Sequence, residues 1–515
     1  MQSRTRALPI AAAVAAMLAL SACAASQQDS STGASGRGTL TIAQASAPTS
    51  LDPADMEQST GLFAQPAYDA LIRVDENGEL TPALATEWGF TDDENKVFEV
   101  TLRSGVTFSD GAKLDAAALV ASLEHLDAGK SNVATLVNGG TYSAVDEDTV
   151  RITWDTPHPL APQAFTQTWV AGMVVSPKAL ETDATTLATQ TAGAGPYVLD
   201  AKATVAGSRY VYTARDDYWN PEGQHWEKIV ITVIENPEQR LNALKTGEVD
   251  YAVGDLGTAK AASDAGLQVR YAPTIFYGLN LLDRAGELGS PLGDVRVRQA
   301  INYALDRDKI ASALLGEYGF ATEQTVVPSE PGYVPALEGH YSFDQAKAKS
   351  LLSEAGYPDG FTLSVVASTS ATAATLAQVL VEQLAAVGIT VTLDSRPSAD
   401  YFEGMTSGTF PAAGIGYGSQ PIPMEYDGLF GPQAVFNPLG STDPEIERLY
   451  HEAIAAPADE ARALYEQIQT KLVEEAWFAP VVFAPVFLYA GDGVGEFQVT
   501  EARPQFPITE LLPAQ

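Results

Sequence analysis

Residues Phe361–Ser395 read as strand, helix, strand, and that order constrains the fold more than any other feature of the chain. Phe361–Ser368 and Ile389–Ser395 carry strand-type residues, and Leu376, Leu380 and Leu384 recur at helical spacing between them. A strand, a helix and a second strand in this order form a β-α-β unit, which assigns this part of the chain to an α/β domain. Its surroundings follow the same pattern from about Tyr277 onward. Val297, Ala300, Ile301, Ala304 and Leu305 lie on one helical stripe, and Ala348, Leu351, Leu352 and Ala355 lie on another. Ser342 with Gln345 predicts a capping box for the second helix, Gly356 its end, and Pro358 follows. A helix around Leu464, Ile468 and Leu472 precedes a last strand, Val481–Tyr489.

The first half is richer in sheet. Thr39–Ser46 reads as a strand, and Lys96–Arg103 alternates with Phe98, Val100 and Leu102 on one face. Asp110-Gly111 predicts a turn and Ala112–Leu126 a helix, and Lys228–Ile234, apolar on both faces, reads as a buried central strand. The length of 515 residues accommodates two or three domains, and 45% apolar residues place the chain among globular proteins. With 65 acidic against 30 basic residues, the net charge of −35 repels nucleic acid and anionic lipid, so neither is expected as a partner.

The amino terminus supplies an address. Arg4 and Arg6 precede the apolar run Ala7–Leu20, and Leu20-Ser21-Ala22-Cys23 ends it. This is the layout of an export signal, and the run is too short to span a bilayer. Cys23 is the only cysteine, so it has no intramolecular disulfide partner. Leu-Ser-Ala-Cys resembles the bacterial lipobox, in which the cysteine thiol takes a diacylglyceryl group after which cleavage makes it the first residue. Ala22-Cys23-Ala24 also fits the small-x-small pattern of soluble release. On the lipobox reading residues 1–22 are a lipoprotein signal peptide and 23–37 a flexible tether of roughly 20 Å reach.

No catalytic constellation stands out. The five histidines, His125, His158, His225, His340 and His451, are dispersed, with no His-Glu-x-x-His pattern. There is no Gly-x-Ser-x-Gly elbow and no phosphate loop, and Gly414-Ile415-Gly416-Tyr417-Gly418 departs from the dinucleotide fingerprint. Neighbouring acids such as Asp92-Asp93 and Asp216-Asp217 are as frequent as chance allows in so acidic a chain. No enzyme activity, cofactor or metal site is therefore expected. A secreted hydrolase using two carboxylates is the competing enzyme reading, and it requires acids facing each other across a cleft.

Several segments, taken in order, carry a family resemblance. They include Leu40-Thr41-Ile42 with Ser50-Leu51-Asp52-Pro53, Tyr68-Asp69-Ala70-Leu71, Gly78–Ala85 with Trp88, and Leu102–Gly111. Gly195-Pro196-Tyr197, Arg215 with Tyr218-Trp219, Asp294–Ala300 and Ala355–Gly360 follow. The series is similar to the extracytoplasmic solute-binding proteins of ABC importers, in the large family with oligopeptide-, dipeptide- and nickel-binding members (family 5). The segments themselves read as structural: Leu51, Leu71 and Trp88 as core, and Arg103 as a group that steadies a carboxylate or loop.

The resemblance implies an α/β, two-lobed periplasmic-binding-protein-like fold that closes on a solute as a Venus flytrap does, with an extra subdomain in lobe I. Lobe I would comprise residues 38–274, with the subdomain at about 59–181 and a return at 480–515; lobe II would be residues 275–479. The hinge would lie near Ile275 and Ala479. Expected partners are the permease and ATPase subunits of an ABC transporter, a small solute, and the membrane through a lipid anchor, for an extracytoplasmic monomer. Ligand-binding positions implied by the resemblance are Ala47, Pro48, Thr49, Phe276, Tyr277, Tyr401, Tyr417, Gly418, Ser419, Gln420 and Glu425. For the aromatics, core packing is the competing reading. Peptide binders of this kind carry an acid for the ligand's ammonium in the stretch corresponding to Gly414–Glu425, expected here as a loop, whose first acid is Glu425. A peptide would need Glu425, Asp427, Asp400 or Glu403 in that role. The alternatives are an oligosaccharide, an opine-like solute or a metal chelate, for which Ser419 and Gln420 offer hydrogen bonds. A surface receptor that kept the fold without transport is a further alternative.

Overall fold

The computed structural model describes residues 38–515 apart from 76, 132–136 and 138. The export signal, Cys23 and the tether lie outside the described residues. β1 (Thr39–Gln44) opens the chain, and β2 (Ile72–Val74) and β3 (Leu80–Pro82) form a small hairpin. β4 (Ala85–Phe90), β5 (Val97–Leu102), β6 (Thr141–Ala144) and β7 (Thr149–Thr153) make a separate antiparallel sheet in the order β4-β5-β7-β6. The alternation in β5 buries Phe98, Val100 and Leu102, as its sequence predicts.

The chain then returns to β1 through β8 (Tyr197–Leu199), β9 (Arg209–Ala214), β10 (Lys228–Val233) and β11 (Tyr251–Val253). β12 (Gln268–Leu281), β13 (Phe320–Ala321), β14 (Phe361–Ser368), β15 (Ile389–Arg396), β16 (Ala412–Gly418) and β17 (Phe478–Ala490) complete an eleven-stranded sheet. Its order is β15-β14-β16-β12-β17-β11-β1-β10-β9-β8, with β13 paired to β17. The helix Ala371–Ala385 crosses between the parallel strands β14 and β15, so the expected β-α-β unit is present.

The topology sets two halves of the sheet facing each other along one ribbon. β12 and β17 pair antiparallel from Gln268↔Ala490 to Asn280↔Phe478. β11, parallel to β1, runs up this ribbon and stops at Val253, opposite Leu488 and level with Arg270. β16, parallel to β14, runs the other way and stops at Gly418, opposite Ile275. The carboxyl ends of both sets of parallel strands therefore point at the segment Arg270–Ile275, which is roughly 17 Å long. In this segment Pro273 faces Pro485, and the register slips between Pro273 and Ile275. Proline has no N–H, so the ladder is weakest where the two halves meet.

Three local expectations are corrected. The helix at Ala112 begins at Ala116, because Leu114 N–H bonds Val106 O and extends the preceding turn, and Asp115 caps Ala118 N–H. The helix Gln345–Glu354 is capped by Asp344, whose carboxylate accepts Lys347 N–H, while the Ser342 hydroxyl bonds Gly339 O. The helix Val295–Tyr303 ends before Ala304 and Leu305, which remain fully buried.

The segments that carry the family resemblance converge in space. The buried Arg215 guanidinium donates to the carbonyls of Thr107, Phe108, Gly193 and Gly195 at 3.1–3.5 Å. Gly195 N–H bonds Ala67 O at 2.9 Å, so close that a Cβ there would lie 2.5 Å from Ala67 C. Asp69 accepts Tyr218 Oη at 2.8 Å, Trp219 Nε1 at 2.9 Å and Arg73 Nη2 at 3.3 Å. Arg103 stacks over Trp219 and donates to Ala83 O, steadying a loop. Removing the carboxylate in Asp69→Ala leaves the Tyr218 and Trp219 donors unpaired inside the protein, for an expected loss of about 3 kcal/mol in denaturant unfolding.

Candidate functional site

The loops that leave the facing strand ends are Ala45–Thr49 after β1 and Ser419–Asp427 after β16. Ligands in open α/β sheets sit beyond the carboxyl ends of the strands, so these two loops border the expected cleft. Ala47 and Pro48 are half-buried and Thr49 is exposed. Ser419 N–H bonds Thr274 O at 2.7 Å, at the slip in the ribbon, and its hydroxyl accepts Val327 N–H at 2.9 Å. These two bonds fix where the loop departs. Gln420 is half-buried beside Gly418.

The glycine run and its aromatics form one packing unit. Tyr277 pairs across the ladder with Gly416, and a Cβ at Gly416 would lie 2.5 Å from the Tyr277 ring. The glycine thus makes room for the tyrosine, which also packs against the core under the helix Ala371–Ala385. Tyr401 donates its hydroxyl to Gly414 O at 2.6 Å and pins the helix Ser398–Thr406 to β16. Tyr417 lies against Phe276 and Phe436.

Two expected ligand contacts are corrected. Phe276 is fully buried, with Phe478 and Phe483 against its ring, and belongs to the core on the face of β12 opposite Tyr277. The Glu425 side chain is fully buried as well, because the short helix Ile422–Glu425 turns it inward. One carboxyl oxygen accepts the Thr325 hydroxyl at 2.5 Å, and Gln469 Nε2 donates to that hydroxyl at 3.3 Å. Among the described residues the other carboxyl oxygen and Gln469 Oε1 have no hydrogen-bond partner. Burial pushes the Glu425 carboxyl up to about 8, with Glu330 adding to the rise. At neutral pH it is a neutral acid and supplies no counter-ion to an ammonium.

The cleft also contains a cavity that the sequence does not reveal. Its volume is about 320 Å³, and it lies between the loop Thr156–Leu160, beyond β7, and the segments Pro423–Asp427 and Tyr450–Ile454. The rings of Tyr426 and Tyr450 stack 3.5 Å apart, and His158 stacks on Trp154 at 4.5 Å. Asn95 closes its edge: its side-chain amide donates to Ile454 O at 3.0 Å, and its carbonyl accepts His158 N–H at 2.8 Å. Asn95 has φ of 56°, a conformation asparagine tolerates better than most residues. A turn at Glu94-Asn95 could have been anticipated, but its partner, Ile454, lies far along the chain.

Glu425 generates a pH test. Its carboxyl rises on folding from 4.5 to about 8, so the folded protein holds a proton that the unfolded chain releases across that interval. The contribution of this group to stability is therefore fully present below pH 4.5 and is lost as pH climbs through about 8. Glu330, raised to about 7 chiefly by burial, adds a slope of the same sign. Glu425→Gln, neutral at every pH, is expected to flatten the fall in melting temperature between pH 5 and 8. A variant with the same slope as the parent would contradict the assignment of a buried proton to Glu425.

Residues 79–430 match the family described as "Bacterial extracellular solute-binding proteins, family 5 Middle". The glutathione-binding protein GsiB of Salmonella paratyphi A is 30% identical over 355 residues, 66% of this chain and 66% of that protein. The Shigella boydii protein of the same name is 27% identical over 461 residues, covering 84% of this chain and 86% of its own. Among solved structures, the ABC transporter substrate-binding protein CtaP of Listeria monocytogenes superposes with a TM-score of 0.80 at 21% identity, covering 93% of this chain and all of that one. The binding protein AgaA of A. tumefaciens R10, in complex with agropinic acid, gives 0.75 at 23% identity, covering 92% and 96%. DppA of Helicobacter pylori, holding the peptide STSA, gives 0.75 at 20% identity, covering 93% and 98%. These likenesses establish the two-lobed binding-protein fold. The chain belongs to the bacterial extracellular solute-binding proteins of family 5, whose members serve ABC importers.

Proposed function

We propose that this protein captures a short peptide or peptide-like solute outside the cytoplasmic membrane and delivers it to the permease and ATPase subunits of an ABC importer. The observation that carries this reading is the convergence of two sets of strand ends on Arg270–Ile275, which borders one cleft with loops from both halves of the sheet. Glutathione, named for the relatives in two species, is itself a small peptide-like solute. Residues 38–274 and 480–515 would form lobe I, including the subdomain at 59–181, and residues 275–479 lobe II. Pro273 and Pro485, which contribute no ladder donors, suit the hinge of such a pair. An acylated Cys23 would hold a monomer beside its transporter.

A second reading rests on the neutral loop. Ser419, Gln420 and the protonated Glu425 leave the start of the loop after β16 without charge, which suits an opine-like solute, a sugar or a metal chelate. Thermal unfolding with glutathione, dipeptides, opines and sugars separates the readings. A true ligand at 100 times its dissociation constant should stabilise the protein by about 2.7 kcal/mol. Stabilisation by an opine or sugar and by no peptide would overturn the peptide assignment. For the anchor, intact-mass analysis of the native protein should find a diacylated chain beginning at Cys23; an unmodified chain beginning later would exclude it.

A further inference from the structure

Asn95 stands in the turn between β4 and β5, within the subdomain assigned above to lobe I, and its side chain ends on a helix of lobe II. The amide nitrogen donates to Ile454 O at 3.0 Å and to Ala456 O at 3.5 Å. Both carbonyls lie at the end of the helix Pro444–Ile454, where the last carbonyls of a helix lack partners of their own. A helix end of this kind carries partial negative charge, which suits an N–H donor. Asn95 therefore caps, from one lobe, a helix that belongs to the other.

The turn holds that amide in place. The Asp92 carboxylate accepts Lys96 N–H at 3.1 Å and Val97 N–H at 3.0 Å, and the Asn95 carbonyl accepts His158 N–H at 2.8 Å. With the backbone fixed at a φ of 56°, the donor is already oriented and loses little freedom when it meets its acceptors. Those acceptors are backbone groups, so the contact does not depend on the side chains of the facing helix. The bridge from His158 through Asn95 to Ile454 runs along the edge of the 320 Å³ cavity. Forming it shuts that edge, and breaking it hands the amide and the carbonyls to water at a modest net cost. A contact so nearly balanced can open and close. We propose that Asn95 is a latch between the lobes, which favours their closed arrangement and slows release of the solute without touching it. This rests on the lobe boundaries and the solute capture proposed above. A latch of this kind acts on the closed state alone, so it alters release and leaves capture unchanged.

The test compares the full protein with Asn95→Gly and Asn95→Asp. Glycine accepts the same φ and removes the amide, whereas aspartate keeps the size and the turn preference but sets a carboxylate against two carbonyls. Small-angle scattering without solute should give both variants a larger radius of gyration than the parent, Asn95→Asp the larger of the two. In stopped-flow measurements with glutathione, release should quicken about fivefold in Asn95→Gly, the worth of one hydrogen bond exchanged for water, and further in Asn95→Asp, at an unchanged association rate. A role confined to the turn predicts instead that Asn95→Asp, the closer replacement, behaves as the parent does. Coincident scattering of the parent and Asn95→Asp would overturn the inference, and so would equal release rates. Failure of glutathione to bind the parent would count against the peptide reading and leave scattering to decide the latch.

Discussion

The antiparallel ribbon of β12 and β17 is the constraint on which the rest of the molecule depends. Each strand has a partner on its outer edge, β16 on β12 and β11 on β17, so the ribbon is the backbone link between the two halves of the sheet. Buried polar groups lock the β17 side in place. Arg307 donates to Pro480 O at 2.7 Å, Asn302 to Phe478 O at 3.1 Å, and Arg298 to Glu475 O at 2.8 Å. These donors tie carbonyls at the start of β17, and that of Glu475 just before it, to the helices Val295–Tyr303 and Arg307–Leu314. Further along, Pro273 opposite Pro485 removes two donors from the same ladder. The ribbon is thus rigid at its β13 end and soft at the midpoint.

On the proposed reading, that midpoint is also where a solute sits. Parallel strands end with carbonyls and loops pointing the same way, and here two such groups of strands point toward each other. The residues lining the cleft then divide by role. Tyr277, Tyr401 and the glycines of β16 build the wall by packing and backbone hydrogen bonds. Glu425 and Asp427, two residues apart, have opposite surroundings. The turn that follows the short helix Ile422–Glu425 leaves Glu425 inside and Asp427 in the cleft. The first is held as a neutral acid by burial; the second keeps water and can carry charge.

Much of the fold was legible in the chain because its signals are local. The β-α-β unit at Phe361–Arg396, the alternation in β5 and the glycine stop at Gly356 all follow from the spacing of apolar residues and the φ of +94° at that glycine. The helix caps were less legible. Ser342 and Asp344 are both good capping residues, and only the path of the backbone selects between them. The site was legible as a region and not as chemistry: positions 47–49 and 419–420 follow strand ends, although residues 414–418, expected as loop, form the end of β16, and the orientation of a side chain there depends on what packs behind it.

By itself the sequence determined the class of fold, the family and the first strand, whose end borders the cleft, since apolar periodicity and short ordered motifs are set by neighbours along the chain. Only the tertiary structure decided that Phe276 is core, that Glu425 is buried and neutral, and that Asp427 and Asn95 stand at a cavity shared by distant segments. Burial and charge state depend on groups hundreds of residues away, such as Ile454 against Asn95. No local pattern encodes such contacts, because the free energy that fixes them arises only when the whole chain has closed around them.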